Sequence, residues 1–227
     1  MSFYECVKAY PEGSSSASRL ALTAKRLGYE GLIICNVEPS KVFRLKAADR
    51  IKGIKVILGA EVTAANSRVL KGSISALRAR YPFLMVCGGT EELVRSACED
   101  PNVDMLLCPC YYDARRSMSI ATARAAMKNQ VAIGFDLSPL VLLRGSSRAR
   151  WLEAAGRNLQ MARKFELSTI ITTRARSHLD LKAPRDLLAL AEVAGFEPEE
   201  AQAALKRPGR LIELNRRKWI GPGVELL

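Results

Sequence analysis

The sequence has 227 residues, 48% hydrophobic and only 6% aromatic, with 35 Lys and Arg against 23 Asp and Glu, a net charge of +12 and a pI near 9.7. That much apolar material excludes a disordered chain, and the scarcity of aromatic rings argues against a base-stacking platform for single strands. The cationic surplus points instead to a polyanionic partner, nucleic acid or an acidic membrane face, with phosphate and shape contacts fitting better than stacking; no uncharged run approaches a membrane span, and no membrane partner is expected.

Short apolar runs alternate with helical patterns along the chain. Phe3–Val7 is the first predicted strand, and the turn Tyr10–Ser16 leads to a helix over Ala17–Leu27, capped by Ser16 and stopped by Gly28. Gly31–Cys35 is the second strand, after which Pro39 opens a helix carrying Val42, Leu45 and Ala48. Lys55–Glu61 is the third strand, extended by Val62 and Thr63, and Ser67–Arg80 is a cationic amphipathic helix. Phe83–Cys87, Val103–Leu107 and Val131–Phe135 are strands four to six, separated by helices over Glu91–Cys98 and Ser117–Lys128. Pro139 begins a helical region that Gly145-Ser146-Ser147 is expected to interrupt, its second part running from Arg148 to Phe165.

The seventh strand is Thr169–Thr173, a β-branched run that empties into a loop holding Arg174, Arg176, His178 and Lys182. Pro184 sits at a helix N1 position, with Arg185 after it, opening a helix to Ala194. A last helix covers Pro198–Lys206, Arg210–Leu214 is a weak candidate for an eighth strand, and the tail is basic. Evenly spaced βα units without a composition break predict one α/β domain over residues 1–227, a TIM-type parallel barrel with seven convincing strands. An open doubly wound sheet is the alternative.

In such a barrel the strand ends share one mouth. Read in order, they are Cys6 and Lys8, Asn36, Glu61, Cys87, Cys108 and Cys110, Asp136, then Arg174, Arg176 and His178. Few carboxylates and one histidine, interleaved with Lys and Arg, make a poor divalent-metal site, so no bound metal with hydrolase activity is expected. The six cysteines sit mostly in apolar runs, the pattern of reduced core thiols. Met1–Glu5 lacks the basic and apolar parts of a signal peptide, so a cytoplasmic protein is expected. The arginines cluster: Arg115-Arg116, then Arg144, Arg148, Arg150 and Arg157, then Arg174 and Arg176, and finally Arg207, Arg210, Arg216 and Arg217. Arginine suits bidentate phosphate recognition, and the candidate RNA-binding residues are the first three of these clusters with His178, Lys182 and Arg185.

Four blocks carry a family resemblance. They are Val86-Cys87-Gly88-Gly89-Thr90 with Cys108-Pro109 beyond it, Val131 to Leu140, Arg157-Asn158-Leu159 with Ala162-Arg163-Lys164, and Ser177-His178 with Asp180 to Leu187. In order and spacing they resemble the archaeal ribonuclease P protein component 3 family, which includes the eukaryotic thirty-kilodalton ribonuclease P and MRP subunit. That family is similar in fold to the polymerase-and-histidinol-phosphatase barrels. Against that wider pattern Cys6 and Lys8 stand where a His-x-His pair would fall, Cys87 and Cys108 at later histidine positions, and Arg174 and Arg176 where an Asp-x-His would close the site, while Glu61 is kept.

The resemblance implies a non-catalytic, RNA-binding subunit of ribonuclease P, part of the enzyme that removes the 5′ leader from precursor tRNA. It also implies that the RNA subunit carries the chemistry with its own Mg²⁺, that this chain binds no cofactor, and that its partners are the ribonuclease P RNA, the component 2 protein and other protein subunits, with precursor tRNA as the substrate of the whole. Two other readings stand beside it: a metal-dependent phosphoesterase using Glu61, Asp136 and His178 on the same barrel, and a barrel that binds a small phosphorylated molecule.

Overall fold

In a computed structural model, described here for residues 3–43, 51–108 and 118–216 and for the backbone of 219–221 and 224–225, parallel strands alternate with helices. Strands β1 (Tyr4–Val7), β2 (Gly31–Ile34) and β3 (Lys55–Leu58) form one sheet. Strands β4 (Ala60–Val62), β5 (Leu84–Cys87), β6 (Met105–Leu107), β7 (Ala132–Asp136) and β8 (Thr169–Thr172) form another, and every pairing within both is parallel.

The two sheets are one surface. Gly59 N donates to Ile34 O at 3.0 Å and Glu61 N to Asn36 O at 3.0 Å, while Ala60 N donates to Phe83 O at 2.9 Å. Lys55–Val62 is therefore a single run that bonds β2 along one edge and β5 along the other, as the sequence pattern predicts. At the other end a bridge between Val7 and Ala175, with Lys8 N donating to Ala175 O at 2.9 Å, joins β8 back to β1. The result is a closed parallel barrel of seven strands, with β3 and β4 as one of them.

Glu5 reinforces this seam. Its Oε1 accepts from Thr172 Oγ1 at 3.0 Å, Thr173 N at 2.7 Å and Thr173 Oγ1 at 3.0 Å, and its buried Oε2 has no partner among the described residues. Burial with an unpartnered oxygen pushes the Glu5 carboxyl up to about 7, against the lowering effect of these hydrogen bonds.

Alternating side chains separate two cores. Leu32, Ile34, Leu84, Val86, Leu106, Ile133 and Ile171 point outward against the helices. Cys6, Ile33, Met85, Met105, Leu107 and Ile170 fill the barrel. The outer layer is α1 (Ala17–Arg26), α2 (Ser67–Arg78), α3 (Glu91–Glu99), α4 (Ile120–Asn129), α5 (Ser138–Leu142), α6 (Gly145–Lys164), α7 (Pro184–Val193) and α8 (Pro198–Arg216). Ser16 caps α1 through a bond from Arg19 N at 3.3 Å, Gly28 ends it at φ +93°, and Pro184 opens α7, as their residue types predict.

Three expectations need correction. Arg210–Leu214 is no strand: α8 runs through Pro208 to Arg216. A proline inside a helix costs about 3 kcal/mol. Burial of Leu211 and Ile212 under the barrel offsets it, at about 1.5–3 kcal/mol for each side chain. Tyr4 completes this floor, and a Cβ added to Gly209 would lie 2.6 Å from the Tyr4 ring, so only glycine lets α8 approach. The helical interruption falls at Leu143 and Arg144, so Gly145, Ser146 and Ser147 form the first turn of α6 rather than the break. After Pro39 the described structure has a single 3-10 turn, Pro39–Lys41, and the expected helical positions Leu45 and Ala48 lie outside the described residues.

Candidate nucleic-acid interface at the barrel mouth

Each strand delivers its last residues to the mouth. Glu61, at the end of the central run, is almost fully buried, and two cations converge on one of its oxygens: Arg174 Nη2 at 2.7 Å and Lys8 Nζ at 3.2 Å. Lys8 also reaches Glu12 Oε2 at 2.8 Å, so a carboxylate at each side holds the ammonium. Arg174 is aimed inward by its backbone. It sits at φ +46°, its N–H bonded to Thr172 Oγ1 at 3.0 Å, and Nη1 reaches Cys87 Sγ at 3.7 Å. Burial works against the Arg174 charge, but the Glu61 carboxylate more than offsets it and the guanidinium is held more firmly than usual.

The remaining mouth groups are quieter. Asn36 Oδ1 accepts from Ala9 N at 2.9 Å and its Nδ2 donates to Ala9 O at 2.8 Å, a two-point clamp on the loop after β1. Burial pushes the Cys87 and Cys108 thiols up, so both stay protonated at neutral pH in this setting. Asp136 accepts from Ser138 N at 2.9 Å, and burial raises its carboxyl above the ordinary range.

A divalent ion needs several converging His or carboxylate ligands with an open position. Among the described residues no three His, Cys, Asp or Glu side chains are placed to hold one. The group that comes nearest, Glu61, is occupied by Lys8 and Arg174, whose charges oppose a metal at that point. The residues present do not fit a catalytic metal.

The basic residues picked from sequence divide into distinct groups. Arg174 is a cation of the mouth itself, its guanidinium facing Glu61. Arg176 is exposed, with Nη2 donating to Glu12 O at 2.6 Å. His178 is a fastener between loops: its N–H donates to Ser15 Oγ at 3.1 Å and its Nδ1 lies 2.9 Å from the same oxygen. Lys182 lines a cavity beside the mouth, and Arg185 is exposed on the first turn of α7. Arg144 and Arg150 are exposed at the start of α6, while Arg148 is half-buried, its Nε on Leu143 O at 2.7 Å. Arg157 lies further along α6 and pairs with Glu153. Arg115 and Arg116 lie outside the described residues.

The loops after β7 and β8 are neighbours because those strands pair, and Val141 and Leu142 of α5 line one cavity with Arg176 and Lys182, while Arg144 and Arg150 begin the helix that follows α5. Arg144, Lys182 and Arg185 form no ion pair among the described residues. Between the two loops lies a cavity of about 300 Å³, lined by residues of both. The sequence missed the roles of Glu12 and Ser15, whose partners are far along the chain. The only signal available for them was the polar Tyr10–Ser16 turn facing the mouth.

A parallel barrel with a buried glutamate at its mouth, two cations on that glutamate and a cationic rim defines the class: a histidinol-phosphatase-like barrel that shows no metal-binding set among its described residues. The fold extends to a histidinol phosphate phosphatase from Lactococcus lactis solved with zinc, L-histidinol and phosphate, at TM-score 0.52 and 14% identity over 86% of this chain and 94% of that one. It matches more fully a chain in a cryo-EM structure of archaeal ribonuclease P with mature tRNA, at TM-score 0.80 and 23% identity, covering 99% of this chain and 97% of that one. The family described as RNase P subunit p30 matches residues 2–219, and this chain belongs to that family. Among its relatives, ribonuclease P protein component 3 of Methanosarcina mazei is 35% identical over 99% of this chain and 95% of its own length. The protein of the same name from Methanothermobacter thermautotrophicus is 33% identical over 93% and 90%. Among the described residues, no helix is long and apolar enough to cross a membrane.

Proposed function

We propose that this chain is a non-catalytic, RNA-bound subunit of ribonuclease P, supporting removal of the 5′ leader from precursor tRNA. The observation that carries the reading, given the family, is the fate of the mouth: Lys8 and Arg174 stand on Glu61, where hydrolytic barrels need a metal and its activated water. The chemistry then belongs to the RNA subunit and its own Mg²⁺, and this chain contributes charge and shape. Arg144, Arg150, Arg176, Lys182 and Arg185 neutralise phosphates, so that close-packed RNA helices approach each other. Within the assembly the component 2 protein is the expected partner, with other protein subunits beside them.

Reconstitution tests the reading. The cognate RNA and partner proteins are assayed for precursor tRNA cleavage with and without this chain, and the chain alone is assayed on a phosphomonoester with added Zn²⁺ or Mn²⁺. A lower Mg²⁺ requirement or a higher rate with the chain present, and no turnover by the chain alone, is the expected result. Metal-stimulated hydrolysis by the chain alone that is lost in Glu61→Ala overturns it in favour of a phosphoesterase.

A further inference from the structure

We infer that the cavity beside the mouth receives a single unpaired nucleotide of the bound RNA, and that it favours a base bearing an exocyclic amine over uracil. This rests on the RNA-subunit reading and deepens it. At about 300 Å³ the cavity is at the small end of ligand-site sizes, roomy enough for one nucleoside and far too narrow for a duplex. Proteins that read RNA sequence do so on splayed-out bases of loops and bulges, by hydrogen bonds to the base edge and by packing against its faces.

The lining supplies each of those contacts. Val141 and Leu142 of α5 line the cavity although they are 44% and 74% exposed, an apolar lip of the kind a base face covers. Asp136 lines it from the end of β7 and is only 4% exposed. The mouth's two buried carboxylates have opposite situations. Glu61 has two cations on one oxygen, whereas Asp136 makes no ion pair among the described residues and accepts from the Ser138 backbone. A carboxylate at the wall of an open cavity accepts from water there and can exchange that water for a donor on an entering base.

The amines of cytosine, adenine and guanine are such donors, and a carboxylate accepting from an amine is an established base contact. Uracil has no exocyclic amine: its single N–H is flanked by two carbonyl oxygens, which repel the second oxygen of the carboxylate. Lys182, without an acid partner, and Arg176 stand on the same wall, placed for the phosphates that flank the base.

The test uses the full chain and four hairpin RNAs that are identical except at one position: fully paired, or with one bulged G, C or U. Affinities are measured by fluorescence anisotropy at one moderate salt concentration. The G and C bulges are expected to bind about tenfold more tightly than the paired hairpin or the U bulge, the size of one good base contact. Asp136→Asn offers the base a donor as well as an acceptor, so it should shrink the preference for G and C over U to less than about twofold while leaving the paired hairpin unchanged. Leu142→Ser, at an exposed position that cannot unfold the barrel, should reduce the bulge preference independently.

Equal affinity of the wild-type chain for all four hairpins overturns the nucleotide site and leaves the RNA-subunit reading standing. A bulge preference that both variants leave intact also overturns it. Failure to bind any of the four at low salt overturns both readings.

Discussion

The two ends of the barrel hold buried carboxylates under opposite conditions. At the floor, Asp104 is saturated: Oδ2 accepts from Arg78 Nη1 at 2.7 Å and Leu84 N at 2.7 Å, and Oδ1 from Asn215 Nδ2 at 2.7 Å and Arg78 Nη2 at 3.3 Å. Asn215 also donates to Pro82 O at 2.9 Å, so the end of α8 is tied across the strands while Leu211 and Ile212 close the interior. At the mouth, Glu61 is equally engaged, but Asp136 faces a cavity and the rim cations are without acid partners. Buried charge therefore does two different things: at the floor it completes a structure, at the mouth it leaves a surface ready to receive something. Parallel barrels generally keep stability at the amino ends of the strands and function at the carboxyl ends.

Breaking the floor should have the largest effect. Asp104→Ala strands Arg78 and leaves the Leu84 N–H and Asn215 amide without their acceptor, and urea unfolding should register a loss of about 3–5 kcal/mol. Burial raises the Asp104 carboxyl despite Arg78, which marks the cost of keeping that charge inside. In the seam between the ends, Glu5 adds a pH dependence. Its folded-state value of about 7 lies above the ordinary 4.5, so its contribution is fully present below pH 4.5 and is lost as pH rises through 7. Unfolding free energies of the wild type and Glu5→Gln, measured from pH 4.5 to 8, should diverge by about 3 kcal/mol, the glutamine form gaining at the alkaline end.

At the mouth the expected losses are smaller. Arg174→Ala leaves Glu61 with Lys8, so a fall of about 2 kcal/mol is expected, less than for Asp104, without loss of the folded state. A loss as large as that at Asp104 would show that the two ends are equally structural. Smallest in stability are the rim variants. Arg144→Ala and Arg150→Ala should change unfolding by no more than about 0.5 kcal/mol while each lowers the slope of log affinity for RNA against log salt by about 1. An unchanged slope in the double variant would take the start of α6 out of the interface.

These contrasts were legible in the sequence to unequal degrees. The seven strands were, because Gly31–Cys35 or Val131–Phe135 are short apolar runs set between helical patterns with Gly and Pro at their borders. The meeting of two cations with one carboxylate at the mouth was also visible, since Lys8, Glu61 and Arg174 end strands one, three and seven. The continuation of α8 was not: Pro208 reads as a stop, and only the tertiary demand for Leu211 and Ile212 in the floor overrides it. Nor was the inward aim of Arg174, which depends on a left-handed backbone that its residue type does not announce. Asp104 had no motif at all, because its partners Arg78 and Asn215 are 26 and 111 residues away.

The Val7–Ala175 seam has a consequence for how the molecule comes into being. Adjacent strands elsewhere meet across one βα unit, but Glu5 and Thr172 are separated by 167 positions. Joining them confines about three quarters of the chain in a single loop, and the entropy of that closure must be met before the seam's few bonds return anything. During synthesis the first strand leaves the ribosome with one edge satisfied by β2 and waits for the last strand to appear. The threonine pair at the end of β8 and the carboxylate on β1 then act as a clasp, so the barrel's completion is a late event that reports on about three quarters of the polypeptide.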